Sequence, residues 1–144
     1  MEEYVTTKSN ADGMEKLTDA LRDRKGGLIF CNLVDFDMLY GHRKDVEGFA
    51  RSLEEFDLGL AAYLPLLQAS DLLMITADHG CDPDPQWPTT DHSREYVPIL
   101  AYTPAAPRGA SLGVRETLAD MGQTIAENFG GTIPHGKSFL AMMG

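Results

Sequence analysis

The fold is decided by an apolar run that ends in a polar turn, Leu72-Leu73-Met74-Ile75-Thr76-Ala77-Asp78-His79-Gly80. A second apolar run covers 28–34 and stops at Asp35, and a third covers 97–102. Short apolar runs with glycine or polar borders are typical of buried strands. Pro98 places the third run at a sheet edge or at the start of its strand, because proline donates no backbone hydrogen bond.

Three helices are predicted around these strands. Apolar residues at helical spacing predict the first over 13–25, with Asp12 as its cap, and the longest over 45–68, with Asp45 as its N-cap. We interpret the apolar stripe of the long helix as core packing rather than a partner groove. The third helix, 114–129, closes at a glycine pair. Its expected inward residues are Leu118, Met121, Ile125 and Phe129.

This order of elements predicts an α/β fold, a layered and mainly parallel sheet flanked by helices. Such sheets bind ligands beyond the carboxyl ends of their strands. Two loops with aspartate and histidine, 35–42 and 78–79, begin where a predicted strand stops, so we expect both on one rim. Three strands are few for this architecture, and a sheet edge without a neighbour could let the chain self-associate.

Length and composition exclude several classes of protein. A length of 144 residues favours one domain, and 43% hydrophobic with 24% charged residues exclude a disordered or collagen-like chain. The net charge of −10 argues against a nucleic-acid partner, because like charges repel. No apolar run reaches the roughly 18 residues of a membrane span, and the acidic N-terminus is not a signal peptide. Cys31 and Cys81 form no disulfide framework, so we expect a protein of the reducing cytoplasm.

Three clusters combine aspartate with histidine: Asp35, Asp37 and His42; Asp78 and His79; and Asp91 and His92. Several carboxylates on one rim repel each other unless a cation is present. A mixed set of carboxylate and imidazole ligands suits Mn²⁺, Zn²⁺ or Fe²⁺ better than Ca²⁺. Ligand chemistry alone therefore favours a metal site, with solvated loop residues as the open alternative.

Five segments carry a resemblance to a known family: NLVDFDMLYGHRKD at 32–45, TADHGCDP at 76–83, TDHSREYVP at 90–98, LGVRETLADMG at 112–122 and AENFG at 126–130. They resemble the carboxyl-terminal half of the phosphopentomutases, two-metal phosphate-transfer enzymes of the alkaline phosphatase superfamily. The likeness runs from about Tyr4 to the end of the chain. It implies that 1–144 is the carboxyl-terminal portion of an alkaline-phosphatase-like core, without the amino-terminal part and the cap domain that recognises the pentose.

The resemblance implies a set of metal ligands. Asp37 and His42 match ligands of a first site that His92 completes, and Asp78 and His79 match ligands of a second site. Mn²⁺ is the usual metal of the family, and the same residues would also accept Zn²⁺. The two ions would clamp the phosphate that is transferred. Asp35 also lies in the motif, and we interpret it as a supporting residue or loop cap.

This chain also departs from the family pattern. The loop between His79 and His92 is about two residues longer than the family pattern, around Asp84-Pro85. The threonine that accepts the phosphoryl group and an aspartate of the second site have no match, and Thr89 and Thr90 are interpreted as turn residues. We therefore assign no catalytic residue and expect the chain alone to be inactive.

Two arginines follow the histidines of the motifs. Arg43 and Arg94 could bind a phosphate through bidentate hydrogen bonds. The alternative is that each forms an ordinary surface ion pair, with Asp45 or Glu95.

The resemblance implies an isomerase of nucleoside salvage, which interconverts ribose 1-phosphate and ribose 5-phosphate and the corresponding deoxyribose pair. The expected partner is therefore a pentose phosphate. One alternative is a metal-dependent phosphohydrolase of the same superfamily, in which water replaces the sugar hydroxyl. The other is a metal-binding fragment without catalytic activity.

Overall fold

The computed structural model describes residues 3–23, 25–106 and 109–143, which belong to two units of different architecture. The first unit comprises Met1–Leu67 and His79–Glu95, and the second comprises Gln68–Asp78 and Tyr96–Gly144. Among the described residues, every helix is too short or too polar to cross a membrane.

The first unit begins with helix α1, Asn10–Asp23, which confirms the first predicted helix. The helix starts earlier than predicted because the Ser9 hydroxyl accepts a hydrogen bond from the backbone N–H of Asp12 at 3.2 Å and so caps the first turn. The prediction that Asp12 is the cap is wrong. Its carboxylate instead lies inside the first turn and pairs with Lys16 at 2.8 Å.

Helix α2, Val46–Tyr63, confirms the longest predicted helix and its cap. The Asp45 carboxylate accepts a hydrogen bond from the backbone N–H of Gly48 at 2.9 Å. The α-helix ends earlier than predicted, in a 3₁₀ turn at Leu64–Leu66, because the ring of Pro65 does not fit an α-helix interior. Its apolar stripe is buried only in part: Tyr63 is buried, whereas Val46 and Leu53 are nearly half exposed, so the expectation of core packing holds for part of the stripe.

The prediction of a buried strand over 28–34 is wrong. These residues are described but form no strand, and Leu28, Ile29 and Phe30 are exposed. An extended segment becomes a strand only when a neighbouring backbone pairs with it, and within the described residues no segment pairs with this one. The apolar composition of 28–34 therefore indicated neither the strand nor the burial that it usually indicates.

The second unit contains strands β1, Leu73–Thr76, and β2, Ile99–Tyr102, which confirm two of the predicted strands. Pro98 directly precedes β2, as predicted. The two strands pair antiparallel, with Leu73 opposite Tyr102 and Thr76 opposite Ile99. The expected parallel sheet is therefore not what the described residues form, although the chain does combine helices with a small sheet.

Helix α3, Ala119–Asn128, begins five residues later than predicted. Its buried face is polar, with Asp120 at 2% and Thr124 at 0% exposure, whereas the expected inward residues Leu118 and Phe129 are more than half exposed. Both polar groups bind the C-terminal segment. The Thr124 hydroxyl accepts a hydrogen bond from the backbone N–H of Phe139 at 3.0 Å. A 3₁₀ turn follows at Leu140–Met143.

Candidate metal centre

A π-helical turn, Phe36–Gly41, positions the first two candidate ligands in the first unit. The backbone N–H of His42 donates to the Asp37 carbonyl, five residues earlier, at 2.9 Å. Phe36 anchors this turn on α2, with its ring centroid 5.7 Å from that of Phe49 and 6.5 Å from that of Phe56. Single π turns are frequent at functional sites, because the extra residue re-aims the side chains that it carries.

The Asp37 carboxylate lies between two imidazole rings. Its Oδ2 is 3.3 Å from Nε2 of His42, and its Oδ1 is 3.4 Å from Nε2 of His92. Oδ1 is buried and has no hydrogen-bond partner among the described residues. A buried carboxylate oxygen without a partner is costly, so this atom indicates a place for a positive charge.

Backbone carbonyls orient two of the rings. Nδ1 of His42 lies 2.5 Å from the Thr90 carbonyl, and Nδ1 of His79 lies 3.2 Å from the Gly80 carbonyl. A carbonyl oxygen only accepts, so Nδ1 is the donor in each of these contacts. At His42 the other ring nitrogen, Nε2, faces the Asp37 carboxylate. Donation of one ring N–H to a backbone carbonyl is common for histidines that bind metals through the other nitrogen.

Three residues bring ligand atoms together. Asp37, His79 and His92 each offer one atom, and these atoms lie within 4.8 Å of one another. The rings of His79 and His92 are stacked, with centroids 3.5 Å apart and planes 13° apart. The ring of His42 is 5.1 Å from that of His92. The donor set of one carboxylate and several imidazoles fits a divalent transition metal ion.

The long loop that carries His92 is attached to the π-helical turn. Lys44 donates a hydrogen bond to the Trp87 carbonyl, and Nδ1 of His42 contacts the Thr90 carbonyl. Lys44 has a φ of 56°, which is uncommon for a residue with a side chain. No sequence pattern indicated this attachment, because a lysine after an arginine is an ordinary surface pattern.

Cys81 lies beside the carboxylate. A Cβ atom at Gly41 would overlap its sulfur, so glycine makes room for the thiol. Burial raises the pKa of the Cys81 thiol, and the charge of Asp37 raises this pKa further. The thiol therefore stays protonated near neutral pH in the metal-free chain.

The other predicted site residues are placed as follows. Asp78 belongs to the second unit, so its assignment as a ligand stays a prediction, as does the division of the ligands between two sites. Arg43 and Arg94 are exposed, and within the described residues neither forms the surface ion pair that was the alternative to phosphate binding. Asp35 accepts a hydrogen bond from the backbone N–H of Asn10 at 2.7 Å, which agrees with a supporting role.

The threonines of the long loop bind within the loop itself. The Thr89 hydroxyl accepts from the backbone N–H of Asp91 at 3.0 Å and donates to its carboxylate at 3.3 Å. The carbonyl of Thr90 is used by His42. Both observations agree with turn residues.

Comparison with known proteins identifies the family of this chain. A model of the metalloenzyme superfamily matches residues 2–132. The chain belongs to this superfamily. Similar curated proteins are the phosphopentomutases of Desulfitobacterium hafniense (strain DSM 10664 / DCB-2), 52% identical over 139 residues, Clostridium novyi (strain NT), 54% over 139, and Anaeromyxobacter sp. (strain K), 56% over 140. Each match covers 96% of this chain and 35% of the relative.

These relatives confirm the resemblance that the motifs predicted. The chain spans about a third of the length of the curated relatives it matches. Within the matched region, Asp37, His79 and His92 bring together atoms that could hold a metal ion.

Proposed function

We propose that this chain is the metal-binding part of a phosphopentomutase, which interconverts (deoxy)ribose 1-phosphate and (deoxy)ribose 5-phosphate. In this proposal 1–144 forms the carboxyl-terminal portion of an alkaline-phosphatase-like core. The observation that carries it is the convergence of Asp37, His79 and His92 within 4.8 Å, inside segments that match phosphopentomutases. The two free thiols, Cys31 and Cys81, support a cytoplasmic setting. A role in nucleoside salvage is part of the proposal on the strength of the resemblance alone.

The residues of the centre would hold Mn²⁺ or Zn²⁺. Asp37 supplies the negative charge, and the Nε2 atoms of His42, His79 and His92 supply neutral donors whose orientation is partly set by backbone carbonyls. We include Asp78 among the proposed ligands, from the resemblance. A divalent ion held there offsets the negative charge of a phosphoryl group during its transfer.

Arg43 and Arg94 are the proposed phosphate-binding residues. Both side chains are exposed, and their guanidinium groups are not engaged by carboxylates of the described residues. A guanidinium group presents two parallel N–H donors that match two phosphate oxygens. Each guanidinium group would bind the substrate phosphate without displacing a metal ligand.

The acceptor group for the phosphoryl transfer is not among the assigned residues. The hydroxyl of Thr89 is used inside its own turn, so it is poorly placed to receive a phosphoryl group. We therefore propose that turnover requires residues beyond the printed sequence, and that this chain alone has no measurable mutase rate. Positioning of the reacting groups contributes on the order of 7–11 kcal/mol in well-organised sites.

A chimera tests the proposal. The matched segment of the Anaeromyxobacter sp. (strain K) phosphopentomutase, which is 56% identical, is replaced by this chain. With Mn²⁺ the purified chimera should convert ribose 1-phosphate to ribose 5-phosphate, and its Asp37→Ala variant should not. A His135→Ala variant is the matched control, since this exposed histidine belongs to the second unit.

The products separate the alternatives. Release of inorganic phosphate without isomer formation would favour a phosphohydrolase. A folded chimera that binds Mn²⁺ but converts and hydrolyses nothing would contradict both enzymatic proposals and favour a metal-binding fragment without catalytic activity.

A further inference from the structure

The long loop 81–92 has short-range order of its own. The Asp82 carboxylate accepts the backbone N–H of Asp84 at 2.9 Å, and the Asp84 carboxylate accepts that of Gln86 at 2.8 Å. The backbone N–H of Trp87 then donates to the Asp84 carbonyl at 3.0 Å. These hydrogen bonds join near neighbours in sequence, so they shape the turn without fixing where it lies. The position of the loop depends on contacts with other segments.

One such contact comes from Lys44, at the junction between the π-helical turn and α2. Its ammonium group donates to the Trp87 carbonyl, 43 residues away along the chain. A second contact joins Nδ1 of His42 to the Thr90 carbonyl in the same loop. The loop has three aspartates and neither lysine nor arginine, so a cationic donor also suits its charge. Lys44 thus attaches the middle of the loop to the turn that carries Asp37.

The backbone at Lys44 lies in the left-handed region, with a φ of 56°. Its N–H donates to the Gly41 carbonyl at 3.0 Å, and the next N–H, of Asp45, donates to the Tyr40 carbonyl at 2.9 Å. Such a position at the end of a helical turn is usually taken by glycine or asparagine, because a Cβ atom is disfavoured there. Unfavourable conformations of this kind cluster at functional sites. The contact of the lysine side chain with the loop gives a reason for a lysine here.

We propose that Lys44 is a positioning residue of the candidate metal centre, which holds the loop 81–92 against the π-helical turn and so keeps His92 beside Asp37. Nε2 of His92 lies 3.4 Å from Oδ1 of Asp37. A loop released from Lys44 would let this distance vary, although both side chains are unchanged. The inference rests on the proposed function for its metal, whereas the attachment of the loop is a property of the metal-free chain.

Trp87 is a direct probe of this attachment, because it is the single tryptophan of the sequence. Lys44→Met removes the donor and keeps a side chain of similar length, whereas Lys44→Asn is too short to reach the carbonyl but suits the positive φ. In both variants of the full, metal-free chain, acrylamide quenching of Trp87 should rise roughly twofold toward that of the urea-unfolded parent, since the side chain is 38% exposed in the attached loop. Lys44→Arg keeps a charged donor and should stay near the parent.

Lys25→Met is the matched control for the loss of a lysine. Lys25 also lies in the first unit, and it pairs at the surface with Asp23 at 2.9 Å and with Glu3 at 3.4 Å. Its loss should leave the quenching of Trp87 unchanged. Circular dichroism of each variant establishes that it is folded before the quenching values are compared.

Three results would overturn the inference. The first is parental quenching in the folded Lys44→Met or Lys44→Asn variant. The second is a Lys44→Arg variant that behaves like Lys44→Met, because the charged donor would then not be the cause. The third is a failure of both Lys44→Met and Lys44→Asn to fold, which would mean that Lys44 supports the whole unit rather than the loop.

Calorimetry with Mn²⁺ connects the attachment with the metal centre. Residues that orient metal ligands typically change affinity by about 10–100-fold, and we expect the folded Lys44→Met and Lys44→Asn variants to bind about 10-fold more weakly than the parent. A released Trp87 with parental Mn²⁺ affinity would contradict the positioning role. If the parent binds no Mn²⁺ but the variants release Trp87, the metal proposal fails and the inference that Lys44 positions this loop stands. If Mn²⁺ binds and Trp87 does not respond, the proposed function stands and the inference fails.

Discussion

Replacement of Asp120 by asparagine is expected to destabilise the second unit, because this carboxylate is buried and paired. The Asp120 side chain is 3% exposed and lies 2.8 Å from Nε of Arg115, whose side chain is 21% exposed. Its Oδ1 also accepts the backbone N–H of Lys137 at 2.8 Å. This carboxylate therefore ties the start of α3 to the segment that leads to the buried Phe139.

The size of the expected loss of stability follows from which contacts of Asp120 an asparagine can still make. The amide oxygen can still accept from Lys137, but the amide N–H₂ would face the guanidinium of Arg115, so one charge-assisted hydrogen bond is lost and a partly buried cation is left unpaired. Removing one partner of a buried ion pair costs about 3–5 kcal/mol. Because Arg115 is partly exposed, we expect the low end, about 3 kcal/mol, or a melting temperature lower by roughly 10 °C.

Urea titration of the full chain measures this free energy of unfolding, and Glu116→Gln is the matched control. Glu116 pairs with Lys137 at 3.2 Å, but the two side chains are 80% and 74% exposed. Exposed pairs contribute less than about 1 kcal/mol, so this variant should unfold near the parental midpoint. Equal losses in the two variants would refute the reasoning from burial.

The effect of Asp120→Asn on stability should also depend on pH. The hydrogen bond from the Lys137 backbone, and then the ion pair with Arg115, hold the pKa of Asp120 below its usual range, against the effect of burial. A carboxyl whose folded pKa is depressed stabilises the fold above its unfolded pKa, near 4, and loses this contribution as pH falls through the folded pKa. The difference between parent and Asp120→Asn should thus be full at pH 7 and shrink below about pH 4.

Four further outcomes are expected. Calorimetry should show Mn²⁺ affinity at least about 10-fold weaker in His42→Ala, since a lost ligand exceeds the effect of an orienting residue, and unchanged affinity in His135→Ala. Anomalous scattering should reveal close to one ion per chain, and two fully occupied ions would point to unidentified ligands. Asp37→Asn should speed alkylation of Cys81 at pH 8, because the neighbouring charge that raises the thiol pKa is gone, and an unchanged rate would contradict that cause. Amide exchange of 81–92 should slow on addition of Mn²⁺, and exchange that Mn²⁺ leaves unaltered would separate the loop from the metal.

The sequence predicted what local signals control. The apolar period placed α1 and α2, and Asp45 correctly marked the start of α2, because these signals act within a few residues of the chain. The prediction of a strand over 28–34 was wrong because a strand forms only when a neighbouring backbone pairs with it. The direction of pairing of β1 and β2 is likewise a property of two distant segments, which no local pattern encodes.

The polar core of the second unit was missed for a different reason. Hydrophobic periodicity favoured Leu118 and Phe129 on the inner face of α3, and a pattern that counts only apolar residues gives no weight to Asp120. A buried carboxylate is stable only with its partners, here Arg115 and the Lys137 backbone, and these lie 5 and 17 residues away. A charged residue at an inward helical position was the one signal that could have indicated the network.

In the candidate metal centre, the sequence indicated the side chains but not the backbone contacts. Asp37, His79 and His92 could be predicted from the motifs because their side chains are of the types that bind metal ions. The contacts that bring them together use backbone atoms: the Gly80–Ser93 bridge, the Thr90 carbonyl and the Trp87 carbonyl. An ion that joined Asp37 to His92 would add a further tie to these backbone contacts. How the two loops meet therefore depends on backbone atoms that no side-chain motif encodes, and for this reason the motifs could not predict it.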